Sequence, residues 1–543
     1  FLPILFLKEG GFMSRRRLVS VCACLVVLFA IVLCRVFWIA TDTGYAASAG
    51  GQTVRETTHP TPRGKIMDPG GRLLTGWENC WYALCVPGDS SYTALFPFVT
   101  FSAQTELYER RNSVTPFLIE VESDLSRYGI TTFEGARRTL PVPIACHLIG
   151  YLDGEGHGVT GLEKAYDDLL YSAGDERTVV CTTSARGDLI EGTAPSIRTV
   201  RSGTGCEITL TLDANIQRAC EAIAQQDMTR GCILVMRTHN GEVVADVSCP
   251  QFDPDHVEKS IRANDTSLID RAFTGFSAGS VFKVVLAQAA YEEGLDWFTH
   301  DCTGSVEVAG ETFRCAQGRA HGEMNLRGAL EQSCNCYFIE LGQILGGETI
   351  LRTARKFGFG SAAAIAPGLK SAAGNLPEET ELSNPGQLAS LSFGQGDLIV
   401  TPLQITTMMN AVASDGMRYA PVFVRSVSTQ TEQQTVQEEP VRVCPEADAR
   451  VLQSMLVTVV SEGIGAEADP GEGGAGGKTG TAQTGQFNSE GQELLNYWFS
   501  GFWPAENPQY TITVLQDGVL DPEVSSAAIF ARIAQALNVE ENS

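Results

Sequence analysis

The sequence predicts an α+β protein tethered by one N-terminal transmembrane helix, with a small mixed domain followed by a larger domain of helices packed on an antiparallel sheet. Three observations lead there: one long apolar run near the N-terminus, a length of 543 residues that exceeds an ordinary domain, and consecutive strand-like and helix-like patterns from Cys206 onward. Apolar content of 43% and charged content of 19% are those of a globular chain. The formal net charge of -25 argues against a nucleic-acid partner, because phosphate contacts need clustered Lys and Arg.

The apolar run lies in "RRRLVSVCACLVVLFAIVLCRVFWIA", Arg15 to Ala40, and is long enough to cross a bilayer as a helix. Arg15, Arg16 and Arg17 precede it, so the positive-inside rule keeps the N-terminus cytoplasmic and sends everything after Ala40 outside. Arg35 interrupts the run near its outer end, where a long side chain reaches the headgroups and Trp38 sits at the interface. A cleaved signal peptide is the rival reading, and the length of the run argues against it. The first methionine, Met13, directly precedes the arginines, and "KEGGF" before it is encodable by a ribosome-binding site. Residues 1–12 are therefore read as upstream translation, and 13–40 as cytoplasmic tip and membrane anchor.

A polar linker, "GYAASAGGQTVRETTHP", leads into a first module of mixed short segments, 41–205, that ends near "RTVRSGTG". The second module, 206–543, opens with the alternating strand "EITLTLD" and a helix "ANIQRACEAIAQQ" with Asp213 as its N-cap. "GCILVMRTHNGEVVADVS" reads as two strands joined at Asn240-Gly241. "VFKVVLAQAAYEEG" reads as a buried helix ending at Gly294, "YWFSGFWP" and "YTITVLQDG" as consecutive strands, and "PEVSSAAIFARIAQALNV" as a closing helix.

The stretch "GFSAGSVFK" carries two overlapping serine-nucleophile patterns. G-x-S-x-G would expose Ser277 on a strand-to-helix elbow, whereas S-x-x-K would place Lys283 one helical turn beyond Ser280, on the same face. An elbow needs a buried strand before Gly275 and a later histidine; "NDTSLIDRAFT" is polar, and only His300 and His321 follow Ser277. The S-x-x-K reading finds partners in order: "SCN" (Ser333 to Asn335) is an S-x-N motif, and "KTGT" (Lys478 to Thr481) follows a glycine-rich stretch. Each motif alone is weak, because Ser280 as a helix N-cap, Asn335 as a turn residue and Lys478 as a solvated charge are the ordinary readings. All three in this order at wide spacing form the set used by β-lactamases and penicillin-binding proteins. Lys283 acts as a base only when neutral, which requires desolvation or a nearby cation, and Lys478 is the candidate for such a cation.

On these motifs the chain resembles a class B penicillin-binding protein, a membrane-anchored D,D-transpeptidase, over nearly everything after Met13. "RGKIMDPGGRLL" (Arg63 to Leu74) resembles the opening of the family's pedestal, or dimerisation, domain, and "GYLDGEGHGVTGLEKAYDDLL" its later segment. "SFGQGDLIVTPLQ" and "WFSGFWP" resemble segments around the active site. Ala278 and Pro69 stand where the family usually has proline and arginine. The resemblance implies a C-terminal serine transpeptidase domain, β-lactamase-like, in which Ser280 attacks the penultimate D-Ala carbonyl of a peptidoglycan stem peptide and Lys283 takes its proton. It further implies that Ser333 relays a proton, Asn335 holds the substrate and the lysine, Lys478 sets the field, and Thr479, Gly480 and Thr481 bind the terminal carboxylate. Backbone N-H groups of Ser280 and Thr481 would form the oxyanion hole. Implied partners are stem peptides, β-lactams, a membrane glycan polymerase and a second copy through the pedestal; no cofactor is required for the chemistry. A glycosyltransferase domain has no room before Ser280. A β-lactamase or D,D-carboxypeptidase is the second enzyme reading, and a β-lactam sensor or silent division scaffold the third; the E-x-x-L-N glutamate signature of class A β-lactamases is absent.

Cys302, Cys315, His321 and Cys334 form a further cluster in sequence, with Cys334 inside the S-x-N motif. Thiolates plus one imidazole suit a closed structural zinc site, and "CTGSVEVAGETFRC" reads as a hairpin that brings two of them together. Relatives by resemblance hold either a metal or a disulfide at a similar place, so zinc, a disulfide such as Cys315 with Cys334, and free thiols all remain open. Elongation, septation and sporulation roles share this chemistry.

Overall fold

The computed structural model describes residues 15–41, 54–59, 63–76, 78–86, 89–113, 115–172, 176–183, 195–200, 205–263, 265–429, 433–434 and 438–541. Residues 1–12, Met13 and most of the linker from Gly44 to Pro60 lie outside them. Helix α1, Arg15–Thr41, contains the apolar stretch Val19–Ile39, with a mean hydropathy of 2.8 and no part of it buried. It is long and apolar enough to cross a membrane, and the Arg35 guanidinium lies over the Trp38 ring at 5.0 Å.

The chain folds as two compact units, 1–59 with 80–135 and 176–200, and 60–79 with 136–175 and 201–543. In the smaller unit, strand Glu78–Cys85 lies between Phe117–Val121 and Thr132–Arg137, and Ala83, Leu107, Ile119 and Leu125 form its core. Strands Val54–His59, Glu176–Thr182 and Ser196–Val200 form a second antiparallel sheet.

The units cross the chain-order division at residue 205 expected from sequence, and the reason is local. Strand Lys65–Met67 pairs in parallel with Cys206–Leu210, so the "RGKIM" segment is built into the larger unit. Arg63 donates to Glu163 at 3.2 Å and Asp167 at 2.7 Å, and Arg138 donates to the other Glu163 oxygen at 2.7 Å. Glu163 is thus a buried carboxylate compensated by two guanidinium groups, the arrangement that makes a buried charge tolerable.

The centre of the larger unit is a five-stranded antiparallel sheet of β1 (Gly231–Arg237), β2 (Val243–Cys249), β3 (Gly476–Phe487), β4 (Glu493–Trp503) and β5 (Tyr510–Val519), in the order β2-β1-β5-β4-β3. Helices α2 (Ala214–Asp227) and α7 (Ser526–Glu541) pack on one face against Ile233, Phe499 and Val514. On the other face, Cys232, Trp498 and Leu515 meet α3 (Lys283–Glu292), α4 (Asn335–Phe357), α5 (Pro402–Ala413) and α6 (Glu446–Ser461). Strand residues alternate between the two cores, and burial on both faces is why the inner strand β1 reads as a nearly continuous apolar run. Each fully buried Leu, Ile or Phe here contributes about 1.5–3 kcal/mol. The expected hairpin at Asn240-Gly241 is present, with Gly241 at φ +74°, and Asp213 caps α2 by accepting from the Asn215 amide at 2.9 Å.

Candidate active site

Four pieces of the larger unit converge on Ser280. The expected helix does not begin as an α-helix at the serine: Gly279–Phe282 form a 3-10 turn, and α3 takes over at Lys283. The two residues still lie one turn apart, with Ser280 half-buried and Lys283 fully buried. Gly279 adopts φ +60°, and a Cβ there would meet the Thr481 carbonyl oxygen at 2.5 Å, so only glycine permits this approach to β3.

Lys283 Nζ donates to the Ser333 carbonyl at 2.8 Å, to Ser333 Oγ at 3.1 Å and to Asn335 Oδ1 at 2.7 Å. The convergence depends on Ser333 standing at φ +52°, a left-handed conformation costly for a side-chain-bearing residue and maintained by its surroundings. Asn335 is oriented in turn by donating to the Arg314 carbonyl at 3.0 Å.

Burial brings Lys283 down to about 7, with the Cys334, Cys315 and Cys336 sulfurs opposing the shift. A lysine tuned this way is neutral in a large fraction of molecules near pH 7 and able to accept a proton. Of the two routes open from sequence, desolvation is the one that lowers Lys283; Lys478 is itself held well below its usual range, by its own burial first and by Lys283 second.

Lys478, Thr479, Gly480 and Thr481 lie on β3, an edge strand bonded to β4 alone within the sheet. Lys478 is buried and donates to the Thr479 carbonyl at 3.1 Å, whereas Thr479 is half-buried and Thr481 exposed. Gly480 lets the strand come close to the nucleophile's turn, since a Cβ there would meet the Val281 amide nitrogen at 3.2 Å.

Ser277, the rival serine, lies in the two-residue strand Phe276–Ser277, paired with Ile399–Val400. Of the two histidines that follow it, His321 has its Nδ1 3.4 Å from Cys302 Sγ.

The expected hairpin is formed by Ser305–Val308 and Glu311–Arg314. Beside it Cys315 Sγ sits 3.7 Å from Cys302 Sγ and 3.8 Å from Cys334 Sγ. The ligand atoms of Cys302, Cys315, His321 and Cys334 lie within 4.8 Å of one another, and the three cysteines are buried. The sequence reading missed Cys336, whose Sγ is 3.4 Å from Cys315 Sγ. Hydrogen bonding with Cys334 and Cys336 lowers the Cys315 thiol below its usual range. The signal was the C-x-C spacing at the start of α4, which turns two thiols toward one neighbour.

A serine-bearing 3-10 turn, a desolvated lysine, an S-x-N segment and a K-T-G-T edge strand are thus brought together in the larger unit. The chain belongs to the family described as penicillin binding protein transpeptidase domain, whose model matches residues 231–535. It is 27% identical over 542 residues to stage V sporulation protein D of Bacillus subtilis, covering 93% of this chain and 82% of that one. It is 23% identical over 589 residues to peptidoglycan D,D-transpeptidase FtsI of Escherichia coli, covering 98% and 94% of the two chains. The crystal structure of penicillin-binding protein 3 from Mycobacterium tuberculosis in complex with aztreonam superposes with a TM-score of 0.66 at 26% identity, over 90% of this chain and 97% of that one.

Proposed function

We propose that this chain crosslinks peptidoglycan stem peptides by acyl transfer through Ser280 in cell-wall synthesis. The observation that carries the reading is the buried Lys283 Nζ, held between Ser333 and Asn335 one turn after Ser280 and poised near neutrality. Neutral Lys283 takes the Ser280 hydroxyl proton as Oγ bonds to the carbonyl carbon of the penultimate D-Ala. The tetrahedral adduct collapses, the C-N bond to the terminal D-Ala breaks, and its nitrogen receives a proton through Ser333. The amine of a second stem peptide then attacks the ester, its proton returns through the same groups, and Ser280 is regenerated with an amide crosslink formed.

The outer edge of β3 suits a substrate strand added to the sheet, with backbone hydrogen bonds for affinity and Thr479 and Thr481 for the terminal carboxylate. Backbone N-H groups of Ser280 and Thr481 stabilise the oxyanion, a contribution of about 3 kcal/mol per donor. β-Lactams acylate the same serine. The arginines in the first turn of α1, ahead of its apolar stretch, keep its N-terminus cytoplasmic and the catalytic unit outside, where the partner is a membrane glycan polymerase; a second copy docks through the pedestal.

Cys302, Cys315, His321 and Cys334 are the residues that would hold a structural zinc ion, with Cys336 outside the ligand set. Sulfur spacings of 3.7 and 3.8 Å support this over a disulfide, because they match the edge of a tetrahedron with Zn-S bonds of about 2.3 Å. A bound ion would supply no acid-base chemistry; its ligands Cys302, Cys315 and His321 would tie down Cys334, which lies between Ser333 and Asn335.

The test is turnover: the full chain in detergent is given a stem pentapeptide and an acceptor amine. Release of D-Ala with formation of the amide product, abolished in Ser280→Ala, supports the reading; hydrolysed product alone supports a carboxypeptidase instead.

A further inference from the structure

The overlapping G-x-S-x-G pattern has a role that the catalytic motifs do not absorb. The carbonyl of Ser277, three residues before the nucleophile, accepts a 3.0 Å hydrogen bond from the indole Nε1 of Trp498. Trp498 is only 2% exposed, and its ring meets Phe276 edge-on, with centroids 6.5 Å apart at 76°. Along the ladder between β3 and β4, the residue paired with Trp498 is Gly480 of the K-T-G-T strand. One residue therefore holds both halves of the site: its backbone register positions β3, and its side chain fixes the segment leading to Ser280.

Between those two attachments the packing leaves little slack. A Cβ on Gly480 would meet both Trp498 Cβ and the Val281 amide nitrogen at 3.2 Å, and one on Gly279 would meet the Thr481 carbonyl at 2.5 Å. From the other side, Gly279 donates to the Gly394 carbonyl at 2.8 Å, and a Cβ on Gly394 would meet the Gly279 carbonyl at 1.9 Å. The Ser280 turn is thus pressed between β3 and the 392–400 segment, and among the described residues the strand Phe276–Ser277 pairs through a two-residue ladder to Ile399–Val400 alone. Such a short ladder needs an additional tether to resist sliding.

We propose that Trp498 is a positioning residue for acylation: its indole clamps the Ser277 carbonyl so that the Ser280 and Thr481 backbone amides converge on the same oxyanion. This deepens the proposed function and rests on Ser280 being the nucleophile. Oxyanion donors act only at hydrogen-bond distance from the developing charge, and a displacement of about 1 Å at a reacting centre costs about 100-fold in rate.

Trp503 supplies a matched control on the same strand. It is equally buried at 2% exposure, and its indole also donates to a backbone carbonyl, that of Glu472, at 3.1 Å. The full chain in detergent is compared as wild type, Trp498→Phe and Trp503→Phe, with stopped-flow acylation by a chromogenic cephalosporin separating the first-order acylation constant from the dissociation constant of the initial complex. Melting temperatures are recorded alongside.

Trp498→Phe is expected to lower the acylation constant about 10- to 100-fold with the initial dissociation constant within about threefold of wild type, while Trp503→Phe acylates within about threefold of wild type at a similar loss of melting temperature. Equal acylation constants in the two variants would overturn the proposal. Should Trp498→Phe fail to fold, Phe276→Leu takes its place: it keeps the indole donor but removes the ring edge that orients it. A fall of about threefold or more supports the clamp, and an unchanged constant overturns it. A wild-type protein that is not acylated at Ser280 would instead overturn the proposed function, so the two failures are distinguishable.

Discussion

Lys283 Nζ donates a 2.7 Å hydrogen bond to Asn335 Oδ1, and that one contact joins the S-x-x-K helix to the S-x-N loop across 52 positions of sequence. A neutral amide accepts from either protonation state of the lysine without adding charge. It can therefore orient the base without forcing it to stay protonated.

The first prediction concerns pH. With Lys283 lowered to about 7, the neutral form gains population as pH rises, so the acylation rate should climb through about pH 7 and level off above it. The check is the rate of β-lactam acylation between pH 5 and 9 at constant ionic strength. Lys283→Ala should lower the plateau by about 100- to 10,000-fold.

Asn335→Asp tests the same contact from the other side. A carboxylate at hydrogen-bond distance favours the charged lysine, so the pH-rate profile should move to alkaline pH and the rate at pH 7 should fall. Asn335→Ala removes the orienting acceptor without adding charge, and should lower the plateau while moving the profile less. Stopped-flow acylation of both variants separates the two effects.

The thiol cluster predicts about one zinc per chain in protein purified under reducing conditions. Cys302→Ala should lose the metal and melt at lower temperature, because zinc binding is coupled to folding. Cys336→Ala should keep full zinc content. Elemental analysis with thermal melting of the two variants is the check, and a zinc-free wild type with a Cys315–Cys334 disulfide would return the cluster to its redox reading.

Glu163→Gln leaves two buried guanidinium groups, those of Arg63 and Arg138, without their shared carboxylate. Removing one partner of a buried ion pair costs about 3–5 kcal/mol, and this variant should fall near that range in urea unfolding. Replacing half-buried Lys65, whose partner Glu207 lies 3.2 Å away, should cost no more than about 1 kcal/mol.

Much of this site was legible from sequence because its chemistry is carried by short motifs in a fixed order. Ser280, Lys283, Ser333, Asn335 and Lys478 needed no structure to be named together. The hairpin at Asn240-Gly241 and the cap at Asp213 were legible for a related reason: each is decided by residues within a few positions. Long-range geometry was not. No local pattern indicates that Ser333 takes φ +52°, or that Trp498 reaches back 221 positions to Ser277. The cause of the Lys283 shift was likewise hidden, since burial depends on how α3, α4 and β3 pack. The division at residue 205 followed chain order, whereas the parallel pairing of Lys65–Met67 with Cys206–Leu210 assigns early segments to the late unit.

The most direct test of the central claim is to acylate the full chain in detergent with a fluorescent penicillin and locate the adduct by peptide mass spectrometry, with Ser280→Ala and Ser277→Ala in parallel. The account predicts one adduct, on Ser280, abolished by Ser280→Ala and retained by Ser277→Ala. An adduct on Ser277, or none on folded wild-type protein, would contradict it.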